Sequence, residues 1–137
     1  MKILVCGLPG SGKTWLAARL TKQIKNCAWY NNDVVRKSAN DVDFSIEGRI
    51  RQANRMKNLA DFERLNGRWV VCDFIAPTKK AREIFAPDYV IWLDTIKKGK
   101  FEDTNQMFEP PKKIDIHITH FMNEEEIKRL AEKIVNV

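Results

Sequence analysis

The sequence predicts a three-layer α/β/α sandwich on a parallel five-stranded sheet. Two observations carry this. Short apolar runs alternate with longer stretches of helical periodicity, the pattern of parallel strands joined by right-handed crossover helices. A glycine-rich segment, Gly7-Leu8-Pro9-Gly10-Ser11-Gly12-Lys13-Thr14, lies between the first apolar run and the first helical stretch. The 137 residues fit a single domain spanning 1–137.

Taken in order, residues 2–6 read as a buried strand with apolar side chains on both faces. Residues 13–25 read as a helix with Leu16, Ala17, Leu20 and Ile24 on one stripe. Residues 28–30 form a short second strand. A long helix over 46–65 sets Ile50, Ala53, Met56, Ala60 and Leu65 on one side, and Asn66-Gly67 supplies its stop. Residues 68–74 are the third strand. A short helix follows over 78–85, ended by Pro87. Residues 89–93 and 114–118 are the fourth and fifth strands. Asn123 caps a final helix to Val135, with Glu124, Glu125 and Glu126 in its first turn. In such a sheet ligands bind beyond the carboxyl ends of the strands. Attention therefore falls on residues 7–14, 31–36, 73–77 and 94–100.

Composition narrows the partners. Hydrophobic residues make up 44% of the chain, enough for a core without staples, and charged residues make up 31%. No apolar run approaches the roughly 18–20 residues of a membrane span, and the first residues enter a strand with no signal-peptide pattern. Cys6, Cys27 and Cys72 are scattered, with no pair at metal-ligand spacing. A cytoplasmic protein with reduced thiols is expected. A net charge of +6 implies an anionic partner, either a small ligand or a nucleic acid.

The segment from Gly7 to Thr14 fits G-x-x-x-x-G-K-[ST] in full, directly after a strand and before a helix. This is a P-loop of the nucleotide hydrolase and kinase type, and it predicts ATP and Mg²⁺ as cofactors. Glycines let successive N–H groups turn inward on phosphate oxygens, and the helix N-terminus adds its positive end. Lys13 is expected to reach the β- and γ-phosphates, and Thr14 to place its hydroxyl on the metal. Two carboxylates are candidates for the metal's acidic partner. Asp73 ends the third strand, and Asp33 follows the second, where it would alternatively take a proton from an attacking hydroxyl. Asp94 ranks below both, because Asp-Thr after an apolar run is ordinary turn chemistry.

An acceptor pocket is expected opposite the P-loop, from residues 31–36 and 44–49. Arg36 and Arg49 suit an anionic acceptor, since guanidinium forks match phosphate or sulfate oxygens. Phe44, just before the long helix, suits stacking on a base.

The order P-loop, Asp33-Val34-Val35-Arg36, Phe44-Ser45 with Arg49 five residues after Phe44, then Phe74-Ile75-Ala76-Pro77 resembles the adenylylsulfate kinases. In that family Asp-Gly-Asp-x-x-Arg follows the second strand, Gly-Phe-Ser leads to an Arg-rich helix, and Phe-Ile-Ser-Pro follows the third strand. Gly99-Lys100-Phe101, Phe108-Glu109-Pro110-Pro111 and Ile114-Asp115-Ile116 are similar to the family's stretch after its lid. The resemblance implies transfer of the ATP γ-phosphoryl to the 3′-hydroxyl of adenosine 5′-phosphosulfate. It implies that Arg36 and Arg49 bind the phosphosulfate, that Phe44 and Phe101 flank the adenine, and that Asp33 sits near the metal and the attacking hydroxyl. Gln52, Phe74 and Ile75 fall at further substrate-binding positions. A homodimer is a further family expectation.

The departures are specific. Asn31 and Asn32 stand for the family's first Asp and its Gly, Gln52 for an Asn, and Asp73 and Ala76 for two serines. Asp94-Thr95 passes almost directly to Ile96-Lys97-Lys98-Gly99, where the family has a longer lid bearing a Cys and an Arg. Lys97, Lys98 and Lys100 are the candidates for replacement charge. The alternatives are a kinase for another anionic acceptor (a nucleotide, another small metabolite or a polynucleotide 5′-end) and a non-catalytic ATP-binding module. In the last case an exposed Trp15 or Trp29 would mark a partner surface, although core packing is the expectation for both.

Overall fold

A computed structural model describes residues 1–99 and 101–137, with the side chain of Asp103 excepted. At its centre lies β1 (Lys2–Cys6), whose five residues are all buried. Side chains alternate along a strand, so Ile3 and Val5 pack into one apolar cluster while Leu4 and Cys6 pack into another on the opposite face. Burial on both faces is why this segment is a continuous apolar run rather than an alternating one. Around it the sheet runs in the order β2-β3-β1-β4-β5, with β2 at Cys27–Asn31, β3 at Trp69–Asp73, β4 at Tyr89–Leu93 and β5 at Ile116–Ile118. Every pairing is parallel.

Helices α1 (Lys13–Gln23) and α6 (Glu124–Val135) pack together over the Ile3 face, burying Leu16, Ala17, Leu20, Ile127, Leu130 and Ile134. On the other face lie α3 (Ile46–Leu65) and α4 (Lys79–Phe85), which close over Leu4, Cys6, Met56 and Phe85. Local sequence sets where these helices begin. The side chains of Ser45, Thr78 and Asn123 accept hydrogen bonds from backbone N–H groups three residues on, and Glu126 completes a capping box with Asn123.

Two helices lie outside the predicted set, α2 (Asn32–Ser38) and α5 (Glu102–Met107). Both are short, and neither carries an apolar stripe long enough to read by periodicity. The stripe of α3 also needs correcting. Leu65 is 83% exposed, whereas Glu63 is buried, because it accepts hydrogen bonds from the Tyr30 hydroxyl and the Arg68 guanidinium. The last turn of α3 thus overhangs the sheet, and a carboxylate takes the inward place. Cys6 and Cys72 are buried and Cys27 half-buried, all three as free thiols. Among the described residues no helix is long and apolar enough to cross a membrane.

Met56 sits wholly buried where α3 meets the sheet. Met56→Ala should lower unfolding stability by about 2–5 kcal/mol in a urea titration. A loss below about 1 kcal/mol would show that α3 can settle into the gap.

Candidate active site

The P-loop leaves β1 at Gly7, whose φ of +151° is open to glycine. A Cβ there would meet the Leu93 carbonyl oxygen at 2.5 Å, so the loop can hug the end of β4 only without a side chain. Gly10 and Gly12 also take positive φ, and Gly12 precedes the first turn of α1. The Thr95 hydroxyl donates to the Ser11 carbonyl at 2.7 Å, tying the segment after β4 to the loop. Lys13 Nζ folds back to donate to the carbonyls of Gly7 at 2.9 Å and Leu8 at 3.0 Å. Burial lowers the Lys13 pKa to about 8, with Asp73 opposing.

Asp73 is 2% exposed at the end of β3. Its Oδ2 accepts from Trp29 Nε1 at 2.5 Å, and its Oδ1 from Asn31 Nδ2 at 2.9 Å and the Thr14 hydroxyl at 3.4 Å. Burial pushes its pKa up to about 6 against the pull of these donors. Thr14 and Asp73 therefore present oxygens of the hard kind that Mg²⁺ takes. Asp33 lies in the first turn of α2, exposed, and lines the same cleft. Asp94 instead contacts His117 at 2.9 Å, and the His117 ring stacks on Trp92.

The cleft has a volume of about 710 Å³. Gly10, Gly12, Lys13 and Thr14 line it from the P-loop, and Phe44, Arg49, Phe74, Ile75 and Phe101 make up a second, aromatic and cationic part of its wall. Arg49 spans from α3 to α5. Its Nη2 donates to the hydroxyl of buried Thr104 at 3.2 Å, and its Nε to the Phe44 carbonyl at 3.0 Å.

Arg36 and Gln52 lie behind this wall. Together with Phe44 and Arg49 they line a small adjoining pocket. The Arg36 guanidinium sits 4.4 Å from the Phe44 ring centroid, and its Nη1 donates to the carbonyls of Asp41 and Asp43. Gln52 donates to Asn32 at 3.0 Å and accepts from Arg55 at 2.5 Å. Asp41 anchors the segment between α2 and α3. Arg51 meets both its carboxylate oxygens, Arg55 adds a third bond, and these hold its pKa well below the usual carboxylate range.

Three participants escape sequence reasoning: Asp41, Thr104 and the indole of Trp29. Asp41 and Thr104 sit in segments without periodic signal. The two tryptophans are not core residues as expected. Trp15 is 39% exposed and lines the cleft, and Trp29 is 37% exposed with its N–H on Asp73. Lys97 and Lys98 are exposed, with Lys98 paired to Glu102 at 3.1 Å, while Lys100 lies outside the described residues. The short connection they belong to is closed on itself, since Asn105 bonds both the N–H and the carbonyl of Gly99.

A family model described as adenylylsulphate kinase matches residues 1–88. A probable adenylyl-sulfate kinase of Aeropyrum pernix is 32% identical over 110 residues, an alignment covering 74% of this chain and 60% of that relative. The chain thus covers less than two thirds of that relative's length. The Mycobacterium tuberculosis APS kinase CysC, solved in complex with AMPPNP and APS, shares the fold. Its TM-score is 0.77 at 19% identity, over 98% of this chain and 95% of that one. Shikimate kinase from Aquifex aeolicus shares it too, with TM-score 0.68 at 14% identity over 99% and 96% of the two chains.

The cleft wall depends on a close approach at Gly48, where a Cβ would lie 2.1 Å from the Asp43 carbonyl oxygen. The nearest obstacle is backbone, and the Asp43 Cγ stands in the way as well at 2.6 Å. Gly48→Ala should therefore destabilise by about 1–3 kcal/mol in a denaturant titration. Unchanged stability would mean that the segment before α3 yields freely.

Proposed function

Because the chain belongs to the adenylylsulphate kinase family, we propose that it is an ATP-dependent kinase transferring the γ-phosphoryl group to the 3′-hydroxyl of adenosine 5′-phosphosulfate. The observation that carries this is one continuous cleft lined both by the P-loop and by Phe44, Arg49 and Phe101. Such a cleft suits two ligands meeting end to end, one held by its phosphates and one by an aromatic and cationic surface.

The roles follow from the chemistry of each group. Backbone N–H groups of residues 7–14, Pro9 excepted, cradle the ATP phosphates, and Lys13 exchanges its loop carbonyls for phosphate oxygens. Thr14 and Asp73 would hold Mg²⁺, whose charge neutralises the phosphate oxygens when it is bound. Asp33 faces the cleft from α2 and accepts the proton of the attacking hydroxyl. Arg49 offers its guanidinium to the acceptor's phosphosulfate, while Phe44 and Phe101 hold the adenine. Arg36 acts from behind, steadying Phe44 and adding positive potential, and Gln52, Phe74 and Ile75 complete the pocket around the acceptor. Catalysis is then mostly positioning and charge neutralisation. The reaction belongs to sulfate assimilation in the cytoplasm.

A second reading has one observation in its favour. The segment after β4 is short and closed on itself, with no long arm over the cleft among the described residues. An acceptor other than the phosphosulfate would need less cover.

ADP release from Mg²⁺·ATP should depend on adenosine 5′-phosphosulfate and not on other nucleotides, shikimate or a 5′-hydroxyl oligonucleotide. Release with one of those instead would keep the kinase and replace its acceptor; none with any, despite ATP binding, would leave a binding module. Lys13→Ala should lower kcat by roughly 100- to 1000-fold with the fold intact, checked by circular dichroism.

Arg49→Ala should raise the acceptor KM by roughly 10- to 100-fold, the worth of a hydrogen-bonded charge. The ATP KM should stay nearly constant. Equal changes in both would remove Arg49 from the acceptor site.

A further inference from the structure

Beyond the roles above, one half-exposed aromatic residue is bound to the most buried carboxylate of the cleft. We infer that Trp29 is a positioning residue for Asp73, its indole N–H and the Asn31 amide together clamping that carboxylate so that it faces Thr14. The inference rests on Asp73 being the metal carboxylate of the proposed kinase.

The geometry begins in the sheet. Strands β2 and β3 run parallel with Trp29 opposite Val71 and Asn31 opposite Asp73. Side chains two apart share a face of a strand. Val71 belongs to the apolar cluster beneath α1, so Trp29, Asn31 and Asp73 all fall on the side from which α1 presents Thr14. The spacing of two residues on one strand thus delivers two donors to one carboxylate on the next.

The two donors divide the carboxylate between them. Trp29 Nε1 takes Oδ2 at 2.5 Å, and Asn31 Nδ2 takes Oδ1 at 2.9 Å. The same amide reaches the Thr14 hydroxyl at 3.1 Å, bridging both prospective metal oxygens. The amide cannot turn over without loss, because its Oδ1 accepts from Val34 N and caps α2. An indole N–H donates only, so it fixes Oδ2 as an acceptor and leaves Oδ1 toward Thr14. Groups that orient a ligand in this way change metal affinity when removed.

The test uses the intact protein and no acceptor. AMPPNP affinity is measured by calorimetry across a series of Mg²⁺ concentrations, for the wild type and Trp29→Phe, which keeps a ring and loses the donor. The Mg²⁺ concentration for half-effect should rise roughly tenfold, while metal-free AMPPNP affinity stays the same. An unchanged Mg²⁺ requirement overturns the clamp, and so does a parallel loss of metal-free affinity, which marks general damage. Should the wild type bind AMPPNP independently of Mg²⁺, the metal role of Asp73 fails and the clamp falls with it. A measurement without substitution guards against a variant that fails to fold. In ¹⁵N-tryptophan-labelled wild type, adding Mg²⁺ to the AMPPNP complex should shift the indole N–H resonance of Trp29, assigned through its own backbone and so told from that of cleft-lining Trp15, and no shift of that resonance overturns the proposal.

Discussion

The cleft depends first on how the chain leaves its central strand. β1 is buried on both faces, and the backbone must turn at its end within reach of the Leu93 carbonyl. Gly7 makes that turn because it has no side chain to meet that oxygen. From there the register of β1 with β3 and β4 fixes the rest. Val5 lies opposite Asp73, the last residue of β3, and Cys6 lies opposite Trp92, one residue short of the end of β4, so three strands end within two residues of one another. The carboxylate, the P-loop and the connection after β4 therefore share a rim. The apolar core below holds these strand ends in place, and the polar groups above inherit that rigidity.

The second part of the cleft wall is built by a different force. Residues 39–45 bury little apolar surface, with Val42 and Phe44 exposed, and are held by charge. Asp41 draws Arg51 and Arg55 from α3 and lies 3.9 Å from Arg36 of α2, so one carboxylate joins two helices. Carbonyls of Asp41 and Asp43 take the Arg36 guanidinium, and the ring of Phe44 lies across it. Arg51 and Arg55 are partly exposed, so the pair that each makes contributes little singly, whereas Arg36 and Asp41 are both buried. Their value lies in fixing a segment that crosses above a glycine of α3. Three of the chain's arginines thus serve this ion-paired architecture.

Legibility in the sequence followed the range of the interaction. The P-loop was readable because its glycines, lysine and threonine are contiguous. The central strands β1, β3 and β4 were readable because burial on both faces leaves a nearly unbroken apolar run. By contrast, α2 and α5 are only seven and six residues long, α2 with a single side-chain cap from Asn31 and α5 with none, and neither leaves a period. The expectation that Arg36 faces the acceptor missed the carbonyls that turn back onto it, which only the folded path of residues 39–45 supplies. Trp29 and Asp73 are 44 residues apart, and Arg49 and Thr104 are 55 apart. Those contacts exist only once the sheet order brings distant segments together, so no local pattern encodes them.

The folded-back ammonium of Lys13 has a consequence for how tightly and how fast nucleotide binds. In water a lysine must shed a strongly held hydration shell before it meets a phosphate. Here two backbone carbonyls already occupy part of that shell's place, so part of the dehydration is completed during folding rather than during binding. The incoming phosphates compete with neutral carbonyl oxygens, which an anion displaces because it adds the Coulomb attraction of a full opposite charge to the hydrogen bond. Protein folding thereby stores solvent reorganisation ahead of the encounter, leaving the exchange local, short in reach and confined to one side chain.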